Sequence, residues 1–328
     1  MNYRRLGKTD FEVSEVSLGT WQVGGGWGAE FDEETAEEIL NTAIDRGINF
    51  LDTADVYDDR ASEAAVGRIA RSRPEQVYVA TKCGRRLQPH VADSYTPAAL
   101  RGFVEDSLSN TGLETLDLIQ LHCPPTDVYY RPEVFEVFDR LQDEGKIRNL
   151  GVSVEKVEEG LKAIEYPNVA TVQIIFNVFR HRPAELFFSE ARRRDVGIIV
   201  RVPLASGLLS GKLARSSTFA NGDHRRFNRE GAAFDRGETF AGVPFETGLD
   251  AVESLKMRLG DERPLPMLAL KWILMHEEVS TVIPGSSRPS QLEQNVEASD
   301  TGDLTPEQLE VVHDVYERYI KEHVHQRW

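Results

Sequence analysis

The run NFLDTADVY closes its apolar stretch on Asp52 and places a phenol, Tyr57, five residues later. QVYVATKCG reaches Lys82 and LDLIQLHCPP reaches His122, so a lysine and a histidine each end a β-rich apolar run. Strand alternation puts Tyr78, Ala80 and Lys82 on one face, and Leu118, Gln120 and His122 on one face. A phenol titrates near about 10 and is a poor acid at neutral pH until its anion is stabilised. A neighbouring ammonium lowers that pKa, which lets Tyr57 give its proton to a developing alkoxide. Asp52 supplies the partner that offsets the desolvation of Lys82 at a strand end. His122 is placed to hold a substrate oxygen or to relay a proton. The chemistry this set suits is the reduction of a carbonyl.

Taken singly, the four have plainer readings. Asp52 reads as a helix-capping acid, Tyr57 as a rim aromatic and His122 as a satisfied core histidine. Lys82 is the least easily explained that way, because lysines are rarely buried without a partner. A competing chemistry is a Schiff-base aldolase with Lys82 as nucleophile, which needs a neutral amine rather than one held charged by Asp52.

Positioning such a set requires strands that end side by side. Short β-rich runs alternate with amphipathic stretches along the chain. The runs are Val16–Gly19, Asn49–Asp52, Val77–Cys83, Leu116–His122, Asn149–Ser153, Thr171–Ile175, Gly197–Val202 and Thr281–Pro284. Between them lie helical patterns such as EETAEEILNTAIDRG, where Ala36, Ile39, Leu40, Ala43 and Ile44 form a stripe. Eight such units predict a parallel (β/α)₈ TIM barrel spanning residues 1–328 as a single domain, with catalytic groups at the C-terminal strand ends. That fold takes about 250 residues. The surplus falls in the N-terminal MNYRRLGKTDFEV, in a long loop after strand seven, Ala214–Thr247, and in a C-terminal helix from Leu304. An open doubly wound sheet is the alternative, but GGGWG at 24–28 does not open a helix in the dinucleotide fingerprint.

The chain has 328 residues and a formal charge of −16, which argues against a nucleic-acid surface. Arginine outnumbers lysine 29 to 9, a bias that a saline habitat and a GC-rich genome explain equally well. No apolar run reaches bilayer-spanning length and Met1–Glu15 has no signal-like apolar core, so a soluble, cytoplasmic protein is expected. Cys83 and Cys123 read as buried hydrophobes rather than a redox switch, and no metal site is expected, the two C-terminal histidines of HVHQRW included.

DTADVY, the lysine of VATKCG, the histidine of LIQLHCPP, GVS at 151–153 and IPGSSRPSQLEQN at 283–295 together resemble the aldo-keto reductase superfamily. The likeness runs nearly end to end from SLGTWQVGG at 17–25. PLASGLLSGK after strand seven resembles its bacterial branch, which is related to the potassium-channel β-subunit branch. The resemblance implies a barrel that binds NADP(H), with NAD(H) as the other option, and reduces small-molecule aldehydes or ketones. Tyr57 would be the general acid, Lys82 and Asp52 its tuning pair, and His122 would orient the carbonyl. Ser153 and Gln173 would hold the nicotinamide carboxamide, and Gly19, Thr20 and Trp21 would border nicotinamide and substrate. Pro203, Leu204, Ser206 and Gly207 would lie along the pyrophosphate. Gly285, Ser287, Arg288, Gln291 and Asn295 would surround the adenosine end near a 2′-phosphate. The channel branch also admits a regulatory subunit that senses NADP(H) with weak turnover.

Two positions depart from the family pattern. Val154 stands where many members have an asparagine that grips the carboxamide. Arg201 stands where many have an aromatic ring stacked on the nicotinamide, and a planar guanidinium can lie flat in its place. The long loop offers His224, Arg225 and Arg226, of which the arginines are candidates to clamp the cofactor over the barrel mouth, a solvated lid or an interface loop being the alternative. Trp21, Trp27, Tyr129 and Tyr130 are expected to wall an apolar or sugar-stacking substrate pocket. Oligomeric state is left open.

Overall fold

A computed structural model describes residues 1–260 and 262–328. After an N-terminal hairpin of β1 (Tyr3–Arg5) and β2 (Glu12–Ser14), eight strands follow in parallel. These are β3 (Leu18–Gly19), β4 (Phe50–Asp52), β5 (Tyr78–Cys83), β6 (Leu116–His122), β7 (Ile147–Ser153), β8 (Val169–Ile175), β9 (Gly197–Arg201) and β10 (Val279–Val282). Each pairs with the next in sequence, and the parallel bridges Val16–Val282 and Gly19–Gly285 bring the first strand round to the last. The expected (β/α)₈ barrel is what forms, and every expected run carries a strand with ends shifted by at most two residues.

The outer layer comprises α1 (Glu33–Asp45), α2 (Ala61–Ser72), α3 (Pro97–Thr111), α4 (Pro132–Asp143), α5 (Val157–Ala163), α6 (Phe187–Arg193), the short α7 (His224–Phe227), α8 (Phe245–Leu259), α9 (Leu265–Leu274), α10 (Pro289–Asp300) and α11 (Pro306–Val315). Local chemistry starts and stops them. The Asp32 side chain accepts from Thr35 N at the head of α1, whose predicted stripe is wholly buried. Thr96 caps α3 ahead of Pro97, and Gly112 ends it with a left-handed φ of 66°. None of the described helices is long and apolar enough to cross a membrane.

The N-terminal segment, set aside as surplus by its sequence, has a structural task. The hairpin sends Leu6, Phe11 and Val13 into one end of the barrel, where they pack with Phe50, Ala80, Leu118 and Ile199. One strand period further, at the C-terminal end, the same strands present Asp52, Lys82, Gln120 and Arg201. A single alternation rule thus makes one end an apolar plug and the other a polar bowl. Gly151 keeps that bowl open, since a Cβ there would lie 2.2 Å from Thr171 Oγ1 and 3.1 Å from Gln120 Cγ.

The 214–247 segment is not loose. Besides α7 it contains tight turns at Arg236–Glu238 and Phe240–Gly242. The C-terminal stretch is docked on it: Trp328 is buried, and its indole Nε1 donates to Asp235 Oδ1 at 2.8 Å. Sequence could not foretell this, because the partner is a loop carboxylate 93 residues away.

Candidate active site

Lys82 and Asp52, at the ends of β5 and β4, are almost fully buried and form an ion pair through Asp52 Oδ1. Lys82 Nζ also donates to Thr53 O at 2.8 Å. Asp52 Oδ2 accepts from Gln120 Nε2 at 2.9 Å and Gln173 Nε2 at 2.8 Å, so the carboxylate is saturated. Burial alone would drive the proton off Lys82. Asp52 and Tyr57 outweigh it and hold the pKa above the ordinary lysine value. A lysine kept charged in this way is a poor Schiff-base nucleophile, which argues against the aldolase reading.

Lys82 Nζ lies 5.1 Å from the centre of the Tyr57 ring. The expectation that this cation draws the phenol down is met only as one contribution. Burial dominates and raises the Tyr57 pKa, Lys82 opposes it, and Asp52 adds to the rise. Tyr57 therefore keeps its proton at neutral pH. The His122 ring stands edge-on to Tyr57 at 6.1 Å. Burial, helped by Arg85, Lys82 and Arg201, pushes His122 well below its usual range, so the imidazole is neutral, and its Nδ1 has no protein partner. Tyr57, His122, Asp52 and Gln173 border one cleft at the barrel mouth.

That cleft runs on past Gly19, Thr20 and Trp21, along Arg201, Pro203, Leu204, Ser206 and Gly207, to Gly285, Gln291 and Asn295. The other expected contacts fall outside its walls. Ser153 is buried at the end of β7 with its Oγ 3.6 Å from Cys123 Sγ. Ser287 binds Gln291 Oε1, and Arg288 is an exposed residue preceding α10. Gln173 is present, but its amide nitrogen is committed to Asp52 and to Gln120 Oε1 at 3.1 Å.

One expectation about the rim does not hold. Tyr129 is buried in the core and Tyr130 is exposed, and neither borders the cleft, because the turn after β6 points one ring inward and the other to solvent. Arg201 lines the cleft and is tied to loop carboxylates. Its Nη2 donates to Val154 O and Glu155 Oε2, both at 3.0 Å, and touches Cys123 Sγ at 3.5 Å. Its Nη1 lies 3.6 Å from Glu238 Oε2, while Arg85 Nη2 donates to Glu238 Oε1 at 2.8 Å. Arg225 lines the cleft with its guanidinium 4.8 Å from the Trp27 ring, whereas Arg226 faces outward.

Sequence reasoning missed Gln22, Lys212, Glu238 and Gln294 in the walls. Lys212 was within reach, since it ends the quoted PLASGLLSGK and is a rare lysine. Glu238 offered no signal, being one of many acids in an irregular segment. Cys83 and Cys123 are free, and burial raises both thiols well above their usual range. The backbone at the site is strained. Asp58, Asp59 and Arg60 follow Tyr57 with φ of 47°, 46° and 77°, and Val202 follows Arg201 with φ of 52°.

Residues 15–317 match the model of the aldo/keto reductase family. The chain belongs to the aldo/keto reductase family. It is an oxidoreductase, and the barrel described above is the family's. An NADH-specific methylglyoxal reductase of Escherichia coli (strain K12) is 30% identical over 312 residues, covering 89% of this chain and 92% of that protein. The holo form of aldo-keto reductase AKR11C1 from Bacillus halodurans superposes with a TM-score of 0.77 at 28% identity, covering 96% of each chain. An aldo-keto reductase from Klebsiella pneumoniae, solved in complex with NADPH, shares the fold with a TM-score of 0.71 at 22% identity, covering 96% of this chain and 95% of that one.

Proposed function

We propose that this reductase uses NADP(H) to convert aldehyde or ketone carbonyls to alcohols, with Tyr57 as general acid. The observation that carries the reading is the Tyr57 phenol, protonated by its burial and standing above a lysine that is held charged. The cofactor supplies a hydride to the carbonyl carbon when bound. Tyr57 then delivers its proton to the oxygen, where negative charge develops. Lys82 stabilises the phenolate left behind, and the saturated Asp52 fixes Lys82 in place. Neutral His122 orients the carbonyl oxygen through a ring nitrogen rather than competing as an acid.

The cleft suits a dinucleotide. Its length joins the reacting residues to the loop after β10, where α10 begins, and helix N-termini favour phosphate. Lys212 in its wall and Arg288 ahead of α10 are the cations available to a 2′-phosphate. The relatives divide here, one being NADH-specific by name and another carrying NADPH. The choice of NADP(H) rests on this chain's two cations.

Titration with NADPH and with NADH, followed by quenching of tryptophan fluorescence, tests this directly. Tighter binding of NADPH is expected, and equal binding would remove the 2′-phosphate role of Lys212 and Arg288. Tyr57→Phe should lower carbonyl reduction by about 10²–10⁴-fold while leaving nucleotide binding intact. Unchanged reduction would overturn the assignment of the acid.

A further inference from the structure

We propose that Glu238 and Glu155 are positioning residues that clamp the Arg201 guanidinium beside the reacting end of the cleft, and that Glu238 makes this clamp conditional on the 214–247 segment lying across the barrel mouth. The proposal rests on the reductase reading for its effect on the cofactor, but not for the clamp itself.

Four loops or strand ends contribute the charges: Arg85 after β5, Glu155 after β7, Arg201 ending β9, and Glu238 in the segment. Arg201 and Glu238 are 7% and 6% exposed, so neither could stay charged there without its partners. Glu155 and Val154 O hold one edge of the Arg201 fork, and Glu238 approaches the other while also receiving Arg85. The two carboxyl groups lie close enough for Glu238 to raise the Glu155 pKa. Remove the segment, and Arg201 keeps only one side of its clamp while Arg85 loses its carboxylate altogether.

Glu238 is itself fixed. Ser206 Oγ donates to Glu238 O at 3.1 Å and accepts from Phe240 N at 3.1 Å, tying the backbone that follows Glu238, on either side of Thr239, to the loop after β9. The same segment reaches the opposite wall through His224. That ring stacks on Trp21 at 4.8 Å and stands edge-on to Trp27 at 4.2 Å, while Trp21 lies parallel to Tyr57 at 5.8 Å. One segment therefore braces both the residue expected beside the nicotinamide and the ring that covers the acid. The ligand atoms of Cys123, Glu155 and Glu238 lie within 4.8 Å of one another, as in a metal site. The Arg201 guanidinium, however, already contacts all three. The cluster is an arginine clamp, not a cation site.

The test uses the full chain and two readouts. Trypsin is applied without nucleotide, because the exposed Arg226 and Arg229 report opening of the segment, and NADPH release is followed by tryptophan fluorescence. Glu238→Gln should speed cleavage within 214–247 by roughly tenfold or more, as loss of a charged hydrogen bond implies. It should speed NADPH release similarly and raise the KM for NADPH more than it lowers kcat, and Glu238→Asp should recover part of each. Arg85→Gln attacks the clamp from the barrel side and should also speed cleavage, which covers the case in which Glu238→Gln fails to fold. Glu155→Gln should change NADPH release while leaving cleavage close to wild type. Wild-type cleavage in both folded Glu238→Gln and Arg85→Gln would overturn the clamp. Faster cleavage with unchanged NADPH release would overturn its coupling to the cofactor. Failure of the wild-type chain to bind NADPH at all would sink the reductase reading, while the cleavage readout would still decide the clamp.

Discussion

At the floor of the cleft one ammonium meets one carboxylate, whereas at its rim two guanidinium groups meet two carboxyl groups. The floor is built from strand ends. Asp52, Lys82, Gln120 and Gln173 come from β4, β5, β6 and β8, and both oxygens of Asp52 are occupied. The rim is assembled mainly from loops, and it is not saturated: Glu155 Oε1 has no hydrogen-bond partner among the described residues. Burial, with Glu238 adding to it, raises the Glu155 pKa, while Arg85 and Arg201 overcome burial at Glu238 and lower it. The rim therefore sets a carboxyl that favours its proton beside one that favours its charge. Strands fix directions, so a charge pair on them can be complete. Loops converge from separate directions and leave a proton to balance the count.

Breaking the floor should have the largest effect on stability. Lys82→Met leaves Asp52 as a buried carboxylate without its cation, which costs about 3–5 kcal/mol. Denaturant unfolding should register this as a lower midpoint with little change in slope. Adding Asp52→Asn to that variant should restore much of the loss, because the uncompensated charge is gone. If the double variant were no more stable than the single one, the floor would owe its stability to packing rather than to charge pairing. Carbonyl reduction should be lost in both.

The same contrast explains what the sequence disclosed. Asp52, Lys82 and His122 were legible because strand alternation fixes where a residue points once its run is recognised, and LDLIQLH was found to the residue. Helix α1 was legible from its stripe and its cap. Glu155, Glu238 and Arg85 were not, because their meeting depends on loop paths that carry no period. Tyr129 and Tyr130 failed for the same reason. The direction of the Tyr57 shift was missed because desolvation depends on total burial, which a pairwise argument from Lys82 omits.

Asp55 gives a smaller effect, through pH. It is 3% exposed, and neither of its carboxyl oxygens has a hydrogen-bond partner among the described residues. Burial, with Glu63 adding to it, raises its pKa to about 7, against the pull of Arg86, Arg60 and Lys82. Its folded pKa thus lies above the 3.8 of an unperturbed aspartate, so its contribution is fully present below that value and is lost as pH rises through 7. Asp55→Asn should leave stability near wild type in acid and raise it relative to wild type above pH 7. Melting at about pH 5.5 and 8.5 checks this. An equal difference between variant and wild type at both values would mean that Asp55 is ionised throughout.

The smallest effect expected is at the support beneath the rim. Glu159 caps the start of α5: its Oε2 accepts from Glu155 N and Lys156 N at 3.0 Å, and its Oε1 accepts from Thr126 Oγ1 at 2.7 Å. It holds the backbone of Glu155 without touching Arg201. Glu159→Gln keeps the shape and removes the charge, so it should cost about 1 kcal/mol, the usual worth of a cap. Denaturant unfolding measures that cost, and tryptic cleavage of the 214–247 segment should not change. A cost as large as that of Lys82→Met would mean the loop under the rim is as tightly determined as the strands under the floor. The distinction between a saturated floor and an adjustable rim would then fail where it is most exposed, in the backbone that carries Glu155.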